Sequence, residues 1–219
     1  AFISSSAPLI EYSVNARGYM LMLCIFLSML ALATFLRGSY NRFGWGLFIV
    51  LGVLGFCTLP IMVYPCGIIV GWLLLDTYRS TRKHKIKFVI VITVSMSLIA
   101  ALTLMIYWPV LVVSGSQEVL GNYYTISHFR FFEELFPYVR TLANVWFQGW
   151  PQIVGWFVLI CAISRLFIAS VLGRPNESIL LVTIVCVTAL LLVRPVLGYP
   201  RLWIFVLPIL LGEAAAGLS

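Results

Sequence analysis

Five stretches without a charged residue constrain the fold of this chain more than any motif does. They cover residues 18–36, 43–75, 88–117, 178–193 and 202–212. A helix needs about 20 apolar residues to cross the roughly 30 Å of hydrocarbon in a bilayer. Only 10% of all residues are charged and 62% are hydrophobic, whereas about 25% are charged in a soluble domain. We therefore predict an all-α integral membrane protein that has no nucleic-acid partner.

The stretch 43–75 is too long for one upright helix, and Pro60 offers a break near its middle. Basic loops flank it on both sides, and lysine and arginine in short loops stay in the cytoplasm. Both loops can be cytoplasmic only if this stretch crosses twice, so it predicts a short hairpin of helices at about 44–57 and 59–76. With the other spans, we expect about seven membrane helices. The other five lie at about 18–36, 88–112, 151–172, 178–197 and 200–218.

Alternation of these spans sorts the arginines and lysines between the two sides of the membrane. Nine cations fall on the inner side and five on the outer side, in agreement with the positive-inside rule. The outer cations are Arg17, Arg130, Arg140, Arg194 and Arg201. The functional face is therefore expected to be extracytoplasmic.

The outer segment 114–150 is rich in aromatic residues. Phe132, Phe136 and Val139 recur at helical spacing, and Pro137 should bend or divide the helix. We predict an interfacial pair of amphipathic helices on the outer leaflet. The pair serves either as a cover for the helix bundle or as a surface that shapes the substrate site.

The chain begins at Ala1 without a signal peptide and ends within an apolar run. We expect one multispanning domain, 1–219, that is a piece of a longer protein. Its five cysteines lie in apolar segments at spacings that match no metal pattern, and they are expected to be buried small hydrophobic residues. No metal site is predicted among them.

Two segments carry a family resemblance. Residues 8–19, PLIEYSVNARGY, directly precede an apolar run, and residues 198–208, GYPRLWIFVLP, place a proline, an arginine and an aromatic residue before the last run. Both resemble the segments that lead into membrane helices in bacterial polytopic glycosyltransferases of the GT-C superfamily, relatives of protein mannosyltransferases and aminoarabinose transferases. Asn15 stands where many members have an acidic residue.

The resemblance implies transfer of a sugar from a polyprenyl-phosphate carrier to an acceptor on the outer face of a bacterial inner membrane. Such chemistry needs a carboxylate that deprotonates the acceptor, and a cation or divalent metal that stabilises the leaving phosphate. In the family the essential carboxylate follows the first span, and no segment here matches that loop. The catalytic carboxylate is therefore unknown and expected outside this chain; no cofactor is identifiable, although a divalent metal is possible.

Arginines at the outer side are the candidates for the carrier phosphate, because a guanidinium can bind phosphate oxygens in a bidentate way. They are Arg17, Arg201 and Arg194. Each could instead be an anchor that reaches toward lipid headgroups. Supporting candidates are Glu11, Tyr12, Tyr19 and Glu213.

Glu213 is the supporting candidate inside an apolar run. Counted from residue 200, it falls near mid-membrane, where a carboxylate is a functional candidate by default. The alternative is that it hydrogen-bonds a neighbouring helix in the small-residue stretch GEAAAG.

Two other functions remain open from the sequence. One is a transporter of lipid-linked sugars or small solutes, with Arg17, Arg201 and Glu213 along its path, although no second copy of the 43–75 hairpin is present. The other is a non-catalytic membrane subunit that holds a partner enzyme.

Overall fold

The computed structural model describes residues 18–37, 39–79, 85–120, 131–171, 179–193 and 200–217. All regular elements within these ranges are helical, as predicted. The α-helices are α1 (Gly18–Leu36), α2 (Arg42–Thr58), α3 (Val63–Arg79), α4 (Lys85–Leu120), α5 (Phe131–Trp146), α6 (Gln152–Val171), α7 (Ile179–Val193) and α8 (Val206–Gly217). Short 3-10 turns at Pro60–Met62 and Pro200–Trp203 precede α3 and α8.

The predicted break in the 43–75 stretch is confirmed. Asn41 begins α2 by accepting hydrogen bonds from the amides of Phe43 and Gly44 through its side chain, at 3.1 and 3.4 Å. Leu59 is extended, with φ −152° and ψ 128°, because the ring of Pro60 disfavours a helical conformation in the residue before it. The stretch therefore forms two helices, α2 and α3, as predicted, and their crossing of the membrane as a hairpin stays a prediction.

Three helical segments are long and apolar enough to cross a membrane. They are Gly18–Leu36, Pro60–Tyr78 and Lys85–Pro109. Shorter apolar helices cover Arg42–Thr58, Gln152–Arg165, Ile179–Ala189 and Val206–Gly217. The coarser expectation, an all-helical protein with membrane-spanning helices, is supported, and the count of seven spans stays a prediction.

Apolar side chains point outward from these helices. On α4, for example, Ile90, Val94, Leu98 and Met105 are exposed. A soluble protein rarely shows such a continuous apolar face to water. This surface fits a helix in contact with lipid.

The described residues divide into two compact units. One comprises residues 24–125, and the other comprises residues 126–219 together with 1–23. In the first unit, α2 and α3 pack against α4. In the second, α6 packs along α8, α7 also contacts α8, and α5 contacts the Pro200–Trp203 turn.

The predicted outer segment, 114–150, differs from the structure in its helices. Helix α4 continues through Leu120 and so enters this segment, while its part that is suited to cross a membrane ends at Pro109, close to the predicted end of the span at 112. Pro137 does not divide α5, which runs uninterrupted from Phe131 to Trp146. Within the described part of 114–150, a single amphipathic helix therefore stands where a pair is predicted, while residues 121–130 lie outside the described residues.

The expectation that the cysteines are buried is only partly correct. Cys66 and Cys161 are buried, whereas Cys24 and Cys57 are exposed and Cys186 is half-buried. An exposed position is compatible with an apolar thiol when the outside of a helix faces hydrocarbon.

Candidate functional site

Most of the predicted site residues lie outside the described residues. These are the carrier-phosphate candidates Arg17 and Arg194 and the supporting candidates Glu11 and Tyr12. Tyr19 lies in the first turn of α1 and is half-buried. The backbone of Arg201 is described, within the Pro200–Trp203 turn.

The Arg201 turn packs against the amphipathic helix α5. Trp203 is buried there, and its ring lies 6.1 Å from that of Phe205, which is also buried. The side chain of Trp203 also interacts with that of Tyr138 of α5. The turn that contains Arg201 therefore lies against α5.

Tyr138 reports on the environment under α5. Burial raises the pKa of its hydroxyl from the ordinary 10.0 to about 12, while the interaction with Trp203 acts in the opposite direction. Burial has this effect because a low-dielectric environment disfavours the phenolate. Tyr138 is therefore partly shielded from solvent where α5 meets the Arg201 turn.

The outward side of α5 combines two kinds of surface. Phe136 and Val139 are exposed there, with 78% and 51% of their surface accessible. Glu133, Arg140 and Asn144 are exposed on a neighbouring polar flank. A helix with these two flanks is amphipathic, and its location at the boundary between acyl chains and headgroups stays a prediction.

Glu213 occupies a different position from the one that its sequence number suggests. Residues 200–205 form a 3-10 turn and a bend, so α8 begins only at Val206 and Glu213 is its eighth residue. Its Oε1 accepts a hydrogen bond, at 3.4 Å, from the amide of Leu180, the second residue of α7 as described. Glu213 is thus level with the first turn of α7 and not with its middle.

The same carboxylate faces Arg165 of α6. Glu213 Oε2 lies 3.9 Å from Arg165 Nε, and Glu213 is buried, with 6% of its surface exposed. The carboxylate thus contacts an amide at the start of α7 and a guanidinium from α6. At the start of a helix, amides lack intrahelical partners and the helix dipole is positive, so an anion is favoured there. This arrangement favours the interhelical hydrogen-bonding role over a free carboxylate along a path.

Close packing surrounds this carboxylate. A Cβ atom added to Gly217 would lie 2.4 Å from the backbone oxygen of Cys161, so α6 and α8 touch at the backbone level. The small-residue stretch of α8 allows this approach. Glu213 and Gly217 together fix α8 against α6.

A second charged cluster lies in the 24–125 unit, although no motif in the sequence predicts it. Arg37, just after α1, forms an ion pair with Asp76 of α3, and its guanidinium lies 5.2 Å from the ring centre of Trp72. One signal was available: Asp76 is the only acidic residue between Glu11 and Glu118. A single carboxylate among apolar helices needs a cationic partner, and Arg37 is the partner observed.

Metal ligands are not clustered in the part of the chain that the structure describes. No group of three or more His, Cys, Asp or Glu side chains there is arranged to hold a metal ion. A divalent metal in the complete site stays a prediction.

Comparisons with protein-family models, with curated proteins and with solved structures find no match for this chain. The fold itself defines an all-helical protein whose longest apolar helices are suited to a membrane.

Proposed function

We propose that this chain is part of a membrane glycosyltransferase that takes its sugar from a polyprenyl-phosphate carrier. Its active face would be extracytoplasmic, and the membrane would be a bacterial inner membrane. The chain would supply the cationic side of the site, and a carboxylate from outside it would deprotonate the acceptor.

The observation that carries the proposal is the contact between α5 and the turn that contains Arg201. A polyprenyl-phosphate donor presents a long apolar tail joined to an anionic headgroup. The exposed Phe136 and Val139 of α5 offer an apolar surface for such a tail. Arg201 lies in the turn that contacts α5, so both kinds of contact would occur within one short region.

Arginine suits the leaving phosphate in this chemistry. As the glycosidic bond breaks, negative charge grows on the phosphate oxygens, and a guanidinium can bind two of them through parallel hydrogen bonds. Arg201 would supply this interaction together with Arg17, and Arg194 would add to it. Tyr19, in the first turn after Arg17, and the preceding Glu11 and Tyr12 would orient the cation.

Glu213 is an unsuitable base for this reaction. It is buried and already contacts Arg165 and the Leu180 amide. These contacts argue equally against Glu213 lining a transport path, so the transporter receives less support than the transferase.

The test uses the full-length membrane protein and a radiolabelled polyprenyl-phosphate sugar. Arg201→Ala and Arg17→Ala should each lower transfer by about a hundredfold, since a lost transition-state contact to an anion costs about 2.7–4 kcal/mol. Arg201→Lys should recover part of the rate, because it restores charge without the bidentate geometry.

Arg174→Ala provides the matched control, because the predicted topology puts Arg174 on the opposite side of the membrane. This variant should transfer at the wild-type rate. Wild-type rates for both Arg201→Ala and Arg17→Ala would overturn the proposal.

A further inference from the structure

Four helix ends meet at one end of the 24–125 unit. The Arg37–Asp76 ion pair joins the end of α1 to α3. Lys85 Nζ, at the start of α4, donates a hydrogen bond to the backbone oxygen of Tyr78, near the end of α3, at 2.8 Å. We call this end of the unit the basic end.

Aromatic contacts tie the remaining helix to the same end. Phe88 of α4 is buried, and it receives the edge of Tyr40 with ring centres 6.2 Å apart. Trp45 in the first turn of α2 packs on the same ring at 5.7 Å. The start of α2 therefore lies beside the start of α4.

Positive charge at the basic end exceeds negative charge. Residues 37–87 contain seven lysines and arginines and one acidic residue, Asp76, which pairs with Arg37. Arg42 and Lys87 are exposed, and Lys85 is half-buried. The stretches 43–75 and 88–117, which lead away from this end, contain no charged residue.

Large apolar side chains stand beside these cations. Phe43 follows Arg42 and is 81% exposed, and Ile86 lies between Lys85 and Lys87 and is 76% exposed. Tyr78 is 79% exposed. Cations therefore alternate with exposed apolar groups at the ends of helices that are long enough to cross a membrane. Such a surface is typical of the depth in a bilayer where headgroups meet acyl chains.

We propose that the basic end binds the headgroups of anionic phospholipids. Arg42 and Lys87 contact the phosphate groups, with Lys85 beside them, while Phe43 and Ile86 contact the upper acyl chains. The charge complementarity and the exposed apolar residues together select a lipid over a soluble phosphate, which has no apolar part. The inference is independent of the sugar-transfer proposal, because it concerns a different unit of the chain.

The experiment compares phosphatidylglycerol with phosphatidylcholine of the same acyl chains. Each lipid is added to the detergent-solubilised protein, and native mass spectrometry gives the two Kd values. The wild-type protein should prefer phosphatidylglycerol. In the double variant R42Q/K87Q, the ratio of the two Kd values should fall about fivefold for each cation removed. One lysine or arginine near an anionic headgroup contributes about 1 kcal/mol, which corresponds to that factor.

The matched control is R42K/K87R, which keeps both charges and should keep the preference. A wild-type protein without preference, or a preference that survives in R42Q/K87Q, would overturn the proposal. So would loss of the preference on adding millimolar glycerol phosphate, because that result would identify a soluble anion as the ligand.

A second measurement covers the case in which the glutamine variant does not fold. Salt screens the interactions between exposed charges, and the screening length falls from about 30 Å at 0.01 M to about 3 Å at 1 M. The wild-type preference for phosphatidylglycerol should therefore weaken over this range. A preference that is independent of salt would contradict headgroup binding by Arg42 and Lys87.

Discussion

Glu213 and Arg165 face each other between α8 and α6, with 3.9 Å between Glu213 Oε2 and Arg165 Nε. The other oxygen of the carboxylate accepts a hydrogen bond from Leu180 at the start of α7. One side chain therefore links three helices. Removal of the Glu213 carboxylate would leave the Arg165 guanidinium and the Leu180 amide without this anion in an apolar environment.

Glu213→Leu should lower the free energy of unfolding by about 3 kcal/mol, because breaking a buried ion pair leaves an uncompensated charge. Glu213→Gln should cost about 1 kcal/mol, since the amide oxygen can still accept from Leu180. Denaturant unfolding in detergent measures both values. Glu133→Gln, at an exposed site on α5, is the control and should change stability by less than about 0.5 kcal/mol.

A double variant separates the pair from the packing around it. Arg165→Met with Glu213→Leu should recover much of the stability lost in Glu213→Leu, because no charge is then left buried. Strictly additive losses in this cycle would show that Arg165 and Glu213 do not interact.

Gly217→Ala should destabilise the contact between α6 and α8. The added Cβ would lie 2.4 Å from the Cys161 carbonyl oxygen, and a backbone atom can give way only if a helix moves. Overpacking of this kind costs about 1–3 kcal/mol. Thermal unfolding of the purified protein should show the loss.

The same helix offers a matched control at Gly212, where an added Cβ meets nothing within 4 Å. Gly212→Ala should be neutral or stabilise by up to about 1 kcal/mol, since alanine is the better helix former. Equal effects of the two substitutions would contradict the close approach at Gly217.

These two sites also show how far the sequence alone could lead. The stretch GEAAAG predicts a close helix contact, and the structure bears it out at Gly217. The position of Glu213 could not be predicted, because residues 200–205 read as part of a continuous apolar helix. Only the 3-10 turn at Pro200–Trp203 shows that α8 starts late, which brings the carboxylate level with the first turn of α7.

Local signals served well where one residue decides the conformation. Pro60 predicts the hairpin break correctly, since the restriction on Leu59 is steric and independent of the rest of the fold. Pro137 does not divide α5, so of the two predicted effects, a bend or a division, only the bend stays a prediction. The Arg37–Asp76 pair needed tertiary structure, because its partners are 39 residues apart.

Asp76→Asn should destabilise the 24–125 unit by about 1–3 kcal/mol, as it removes the anion that accepts from Arg37. Arg37→Lys should also destabilise it, because lysine loses both the forked geometry and the stacking over Trp72. Hydrogen exchange at the amides of α3 would locate the effect. Arg42→Lys, an exposed arginine at the same end, should leave these exchange rates unchanged.

Tyr138 should make stability depend on alkaline pH. Its pKa is raised by burial to about 12 in the folded protein, against an ordinary 10.0, so the unfolded chain loses this proton first. The stabilisation is fully present below pH 10 and is lost as the pH rises toward 12. Between pH 10 and 12, the free energy of unfolding should fall more steeply with pH for the wild type than for Tyr138→Phe.

Trp203 provides a second test of this environment. Because its interaction with Tyr138 lowers the pKa of the hydroxyl, Trp203→Phe should raise that pKa further if burial is preserved. Phenolate absorbance during an alkaline titration gives the pKa directly. A Tyr138 that titrates near 10 in the wild-type protein would contradict its burial under α5.

The most direct measurement for the proposed function is the binding of polyprenyl phosphate itself to the full-length protein in lipid nanodiscs. The wild type should bind it. Arg201→Ala should raise the Kd by about tenfold or more, since a hydrogen bond to a charged group contributes about 1.5–3 kcal/mol. Arg174→Ala should leave the Kd unchanged. Equal Kd values for the wild type, Arg201→Ala and Arg17→Ala would contradict the assignment of the carrier phosphate to these arginines.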